Sequence, residues 1–379
     1  MKIERVRFTA FQCDLAQPFG DANFPEGRTR MTALAVRVDT DQGLTGNAVA
    51  SAEGRFGLRI LEPLLVGEDP RGVRRLWQSM VDHVFKSGNA GWVTDAISAV
   101  DVALWDLKSK AAGEPLWKTF GAGDRRVSAY ASGIDMCLTD DQLHAYYAGM
   151  AERGFAAGKL KVGRNQDDDL RRLAIMRDAL SAAAARPMLA VDSNEYWSPK
   201  QAIRRISAME KQFDLAWVEE PARRWDVEGL RKVSDGVRAA VATGENLGHV
   251  SQFTPLVAGG AVDIVQAGEG TSGLTGAMQV AHLAYAHELP VCVMNAPGHV
   301  PAHLAAALPN HAMTEVFGDG GRGCVVSDVV LDDGCIVLGD RPGHGLTFDD
   351  QQLTASEVDL DSIPDPSLPG RGEGAAGVR

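Results

Sequence analysis

The sequence predicts an α/β protein whose middle is a closed barrel of parallel strands and whose two ends are β-rich. Three observations predict it. Eight short apolar segments begin at intervals of roughly 25 to 30 residues, the length of one βα unit. Each is apolar along its length rather than at alternate positions, as strands covered on both faces are. Acidic residues stand where three consecutive segments end. Eight units in a row favour a ring over an open sheet.

The elements follow in order. VRFTAFQCDL and TALAVRVDTDQGLTGNAVA read as strands, the latter folded at Asp41-Gln42-Gly43, and the turn-rich loop DLAQPFGDANFPEGRTR separates them. From about Pro63 to Ala112 the pattern is helical. Ile97, Val100, Leu104, Leu107 and Ala111 recur at helical spacing, and Gly113 stops the helix. The eight strand segments are VSAYASG, AAGKLKVG, RPMLAVDSN, LAWVEEP, AAVATGEN, VDIVQAG, LPVCVMN and HAMTEVF. From about Cys324 the pattern returns to β, with GCVVSDVVLDDGCIVLGD a hairpin around Asp332-Asp333-Gly334. The expected division is an α+β domain over 1–125, the barrel over 126–323, and a C-terminal segment over 324–379. Its Pro- and Gly-rich tail is expected to be loose from about Ile363.

Composition narrows the function. Among 379 residues, 45% are apolar, ample for a core, and the net charge of −12 argues against a nucleic-acid partner. No apolar run approaches the roughly 18 residues of a membrane helix, and MKIERVRFTAFQCDL lacks the apolar core of a secretion signal. Five cysteines are scattered without zinc spacing, which predicts a reducing cytoplasm. No glycine-rich nucleotide motif follows a strand.

In AAGKLKVG, Lys159 and Lys161 lie two residues apart on a strand, so they share a face and repel, which would lower the pKa of either. Taken alone, the pair reads as two solvated lysines on a surface strand. The strand ends change the balance. Asp192 closes LAVDSN, Glu219 and Glu220 close WVEEP, and Glu245 closes VATGEN, 27 and 26 residues apart. That end of a barrel is its active-site face. Strands about 4.8 Å apart would bring one carboxylate from each within reach of one ion. Three hard oxygen ligands suit Mg²⁺. Each acid could instead stabilise the start of the following helix.

With these residues in view, the chain resembles the enolase superfamily, in particular its mandelate racemase-like subgroup. The resemblance rests on AISAVDVALWDLKSKAAGEPL, the KLK pair, DSN, WVEEP, GEN and the TEV strand, and spans nearly the whole chain. It implies a (β/α)7β TIM-like barrel with an N-terminal α+β capping domain completed by the C-terminal segment. It implies Mg²⁺ on Asp192, Glu219 and Glu245, and Lys161 as the base that removes the proton α to a carboxylate. Lys159 would lower the pKa of Lys161 and hold the substrate carboxylate. Asn194 would line the site, and Glu315 would hydrogen-bond the developing enediolate. A small-molecule carboxylate substrate and a homo-oligomer are also implied.

The opposite face departs from the family. Where many members carry a His–Asp dyad, this chain has Asn295 and, near the Asp position, Gly268. Glu269 is the only ionisable group on that segment, as a turn residue or a catalytic one. Without a second base, two-base racemisation is disfavoured. The expected reaction is therefore dehydration of a sugar acid to a 2-keto-3-deoxy acid, a lyase activity. A cycloisomerase or epimerase is the runner-up, and a non-catalytic member that binds metal and carboxylate is the rival from another class. His299 and His303 are candidates for the acid or for structural roles. Cap loops around Phe19 to Arg28 and Ser51 to Arg55 would meet the distal end of the substrate, making Phe19 and Arg55 binding candidates. Asp21, Asn23 and Glu53 make these loops polar.

Overall fold

The alternating N-terminal segments pair as a three-stranded antiparallel meander, Ile3–Phe19, Arg28–Thr40 and Thr45–Ser51. The computed structural model describes residues 1–88 and 90–360; the tail expected to be loose from about residue 363 lies outside them. Helices Gly54–Leu65 and Trp92–Ala112 pack on the sheet, and Val73–Val84 packs against both of them. The third is buried almost all round, because it lies between the sheet and the barrel. Gly113 ends it in the left-handed region at φ 70°, where a glycine cap costs no steric strain.

The barrel strands are Arg126–Ser132, Ala157–Lys161, Met188–Asp192, Leu215–Glu219, Ala240–Thr243, Ile264–Ala267, Val291–Val293 and His311–Val316, called strands 1 to 8 below. All pair in parallel with their neighbours, and strand 8 closes on strand 1 through Thr314–Ala129 to Val316–Ala131. The eight predicted segments coincide with these eight strands. Tyr130 and Trp217 meet edge to face at 5.0 Å inside the ring, with Ala157, Ala190 and Ala242 beside them. Small residues on three strands leave room for two large rings, so the interior is filled rather than hollow.

The hairpin at Asp332-Asp333-Gly334 is present, with Asp333 and Gly334 both at positive φ. Its second strand, Cys335–Val337, pairs antiparallel with the start of strand 1, a placement the local sequence does not specify. The chain then runs to the cap, where Val358 N–H donates to Ala10 and Gln12 N–H to Ser356, at 3.0 Å each.

Cap and barrel meet on two sides of the C-terminal mouth. On one, Gly20 exchanges backbone bonds with Ile134 and Met136 (2.8 and 3.0 Å), Asn23 donates to the Asn194 carbonyl (2.9 Å), and Arg164 donates to the Ala22 carbonyl (3.1 Å). On the other, Trp77 Nε1 donates to the Ser272 carbonyl (2.7 Å) and Trp105 Nε1 to Thr275 Oγ1 (3.0 Å). The cap thus spans from the loops after strands 1 to 3 to the loop after strand 6. Among the described residues, no helix is long and apolar enough to cross a membrane.

Candidate active site

Strand alternation points Lys159 and Lys161 into the ring, and both are buried, so the surface-strand reading fails. The parallel register places Lys161 beside Asp192 and Asp192 beside Glu219. Lys159 Nζ reaches Glu219 Oε1 at 2.5 Å, Glu315 Oε1 at 2.9 Å and Asp192 Oδ2 at 3.4 Å. Lys161 Nζ reaches Asp192 Oδ2 at 2.5 Å. Asp192 Oδ1 also accepts the Asn194 backbone N–H at 2.7 Å, fixing the turn that follows strand 3. Asn194 follows Asp192 by two residues, at positive φ, with its Oδ1 buried and unpaired. Asn295 donates to Glu315 Oε2, so Glu315 is held between an amide and Lys159.

Two expectations need correction. The first concerns the carboxylates, which were expected to close on one point. Among the described residues, no group of three acidic, His or Cys side chains does so. Asp192 is turned onto Lys161 and Glu219 onto Lys159, because a buried carboxylate takes the nearest cation. The second concerns the lysines. Burial lowers the pKa of Lys161, and Lys159 lowers it further, but Asp192 together with Glu245 and Glu219 outweighs both and holds it above the ordinary lysine value. Burial likewise opposes the Lys159 charge, and Glu219 and Glu315 overcome it. The geometry as it stands keeps both lysines charged.

The acids separate according to their partners. Burial would raise Asp192, yet the two lysines hold it at about 2. Glu315 is also lowered against burial, by Lys159 and Lys161. Glu219 is raised by burial and by its neighbours Asp192, Glu245 and Glu315, despite Lys159. Burial leads for Glu245 too, and Asp192 adds to it. Glu220 is raised by burial, Glu245 and Asp192; Asn246 reaches its Oε1 at 2.8 Å, while its Oε2 is buried and unpaired. Four carboxylates, Asp192, Glu219, Glu245 and Glu315, thus surround two ammonium groups, with Glu220 just behind them. The excess of negative charge and the all-oxygen donor set fit a hard divalent cation.

The remaining candidates fall at varying distances from this cluster. Phe19 lies edge-on to Phe317, just past strand 8, at 5.0 Å, with the Arg322 guanidinium 4.9 Å from both rings. It therefore stands at the rim. Arg55 is buried in the cap, where it donates to the Ala52 carbonyl (2.9 Å) and covers the Phe56 ring (4.3 Å). His303 is structural: Nδ1 accepts the Trp117 N–H, Nε2 donates to the His344 carbonyl, and burial holds its pKa near 3. His299 is buried, lowered by that burial, and donates from Nε2 to the Gly318 carbonyl at 2.7 Å. Neither histidine offers a mobile proton.

Sequence reasoning missed Asp135. Its Oδ1 accepts the Lys161 backbone N–H (3.1 Å), its Oδ2 accepts the Tyr147 hydroxyl (2.7 Å), and Arg172 neutralises it at 3.0 Å. Asp135 thereby fixes the end of strand 2 that carries Lys161. Its position just after strand 1, on the same rim as the other acids, was the available signal.

The chain's relatives bear on this geometry. Residues 22–121 match the family model described as mandelate racemase / muconate lactonizing enzyme, N-terminal domain, and residues 142–352 match enolase C-terminal domain-like. The chain is 32% identical to a 3,6-anhydro-alpha-L-galactonate cycloisomerase of Streptomyces coelicolor, over 93% of this chain and 98% of that protein. It is 31% identical to an L-talarate/galactarate dehydratase of Salmonella typhimurium, over 92% and 90% respectively. The crystal structure of the Salmonella enzyme with Mg and L-lyxarohydroxamate superposes with a TM-score of 0.85 at 29% identity, covering 94% of this chain and 93% of that one. A Streptomyces coelicolor racemase with bound magnesium gives the same TM-score at 31% identity, covering 94% and 100%.

Proposed function

The chain belongs to the mandelate racemase / muconate lactonizing enzyme family of the enolase superfamily, and from that premise we propose that it dehydrates a sugar acid to a 2-keto-3-deoxy acid. The observation that carries the proposal is the buried Lys159–Lys161 pair ion-paired to carboxylates from three strands at the barrel mouth. Asp192, Glu219 and Glu245 would hold Mg²⁺, which supplies positive charge to the substrate carboxylate and takes up carboxylate charge that now raises the lysines. Relatives solved with magnesium support that assignment.

The chain's own residues divide the remaining work. Lys161, once neutral, takes the α-proton. Lys159 stays charged between Glu219 and Glu315 and faces the developing negative charge. Asp135 holds the Lys161 backbone in place. Asn295 binds Glu315 and cannot carry a proton, which disfavours a second base from strand 7. The cap loop, tied to the Asn194 carbonyl through Asn23 and with Phe19 against Phe317, would cover the mouth and exclude water. All five cysteines are unpaired, which supports a reducing cytoplasm.

A cycloisomerase is the second reading, favoured by the 32% identity to the Streptomyces enzyme and by the same single-base arrangement. A panel of sugar acids and their lactones in D₂O with Mg²⁺, followed by NMR, separates the two. A 2-keto-3-deoxy product establishes dehydration, and a ring-opened or ring-closed isomer establishes cycloisomerisation. Lys161→Ala should lower either rate by about 10²- to 10⁴-fold, the usual contribution of a positioned base. Unchanged turnover in that variant refutes the assignment of Lys161. No deuterium exchange with any acid by the wild type refutes the enzymatic reading.

A further inference from the structure

We propose that Glu269 is the general acid that protonates the departing hydroxyl, from the face of the substrate opposite Lys161. The inference rests on the dehydration reading above. In a ring of eight strands, strand 2 and strand 6 are diametrically opposed, four strands apart in either direction. Lys161 ends strand 2, and Glu269 follows the end of strand 6 by two residues.

The loop around Glu269 is held at the mouth. A Cβ added to Gly268 would meet Met294, at the end of strand 7, at 3.2 Å. One added to Gly270 would lie 3.6 Å from the carbonyl oxygen of Glu245, past strand 5. Glu269 therefore stands on the rim between the acid after strand 5 and Asn295 after strand 7. The cap closes over it, since Trp77 bonds Ser272 and Asp101 binds Thr275 in the segment that follows.

Its carboxyl group is half-buried and makes no hydrogen bond or ion pair among the described residues. Two charged groups of the cap face it, Asp95 and Asp101, both acidic. Asp95 is itself bonded to Ser51, at the end of the third cap strand, and lies near Glu53. Burial, and then these two acids, push Glu269 up to about 8, so it carries its proton at neutral pH. A neutral carboxylic acid is what the leaving hydroxyl needs, and neither histidine nor Asn295 can supply it.

The step balances as follows. Neutral Lys161 takes the α-proton, and the C–H electron pair passes into the carboxylate system. That pair returns to form the Cα–Cβ double bond as the Cβ–O bond breaks. The hydroxyl leaves with the Glu269 proton as water, and the enol tautomerises to the 2-keto acid. Glu269 is left as carboxylate and Lys161 as ammonium; proton exchange with solvent restores both. The two groups act on opposite faces, so the elimination is anti.

The test uses the full chain with Mg²⁺, the acid found in the panel, its β-fluoro analogue and Glu269→Gln. Fluoride leaves without protonation, so a proton donor matters to the hydroxy acid alone. The expected result is at least a 100-fold loss of kcat on the hydroxy acid, near wild-type turnover of the fluoro acid, and retained α-deuterium exchange. Glu269→Asp should recover part of the loss. The alkaline limb of the wild-type kcat profile, set by Glu269 with Asp95 and Asp101 close by, should disappear in Glu269→Gln. Equal losses on both substrates, or none on either, overturn the proposal. Wild-type exchange without expulsion of hydroxide overturns it while leaving Lys161 chemistry intact. No wild-type exchange removes the dehydration reading and the acid with it.

Discussion

Removing one metal-site acid should stabilise this protein without magnesium and deprive it of its gain with magnesium. Glu245 is the informative position: it follows strand 5, is raised by burial and by Asp192, and unlike Asp192 and Glu219 makes no ion pair with either lysine among the described residues. Asp192 and Glu245 lie two strand spacings apart, about 9.6 Å, where two like charges repel by about 1.7 kcal/mol at an effective dielectric of about 20. Attraction to Lys161 and Lys159 returns part of that. Glu245→Gln should therefore raise stability in EDTA by up to about 1 kcal/mol. Wild-type protein at a hundredfold excess of Mg²⁺ over its Kd should gain about 2.7 kcal/mol, and the variant little of it. Melting curves at pH 8, in EDTA and in Mg²⁺, should thus change order: the variant melts higher in EDTA and lower in Mg²⁺. A variant that melts lower in EDTA and still gains fully from Mg²⁺ would refute both the crowding argument and the assignment of Glu245.

Two further predictions test the supports of the site. Gly244 precedes Glu245 at φ +136°, and an added Cβ would lie 2.3 Å from the Gln266 carbonyl oxygen and 2.6 Å from the Phe253 ring. Gly244→Ala should cost about 3 kcal/mol and blunt the Mg²⁺ gain by displacing Glu245; an unchanged melting temperature and an unchanged gain would contradict this. Asp101 is fully buried, and burial raises it from 3.8 to about 7 against its bonds from Thr275. Between those values the folded chain keeps a proton that the unfolded chain has lost, so stability falls as pH rises through that window. The fall attributable to Asp101 is up to about 4 kcal/mol. Urea unfolding at pH 4.5 and pH 8 should show this decline in the wild type and a smaller one in Asp101→Asn; parallel declines would sink the assignment.

What the sequence determined by itself was everything carried by local pattern. Eight apolar segments marked the barrel strands because a strand covered on both faces must be apolar throughout. Asp192, Glu219 and Glu245 stood out because each ends a strand, and every strand of a parallel barrel ends on the same rim. The two lysines were legible as a pair through the two-residue period of a strand. The Asp333-Gly334 turn was legible because positive φ at two successive positions selects such residues. The hairpin's pairing with strand 1 depended on which strand edge is free, a property of the assembled sheet.

Tertiary structure alone decided how these charges pair and what they do to one another. Repulsion between Lys159 and Lys161 is a local inference, but the stronger influence on each comes from acids on other strands, 31 to 156 residues away in sequence. Asp135, Asp101 and Asp95 were silent for the same reason: each acts on a residue brought near by the ring or the cap rather than by the chain. Electrostatic energy falls with distance in space and rises as water is excluded, and a linear sequence records neither.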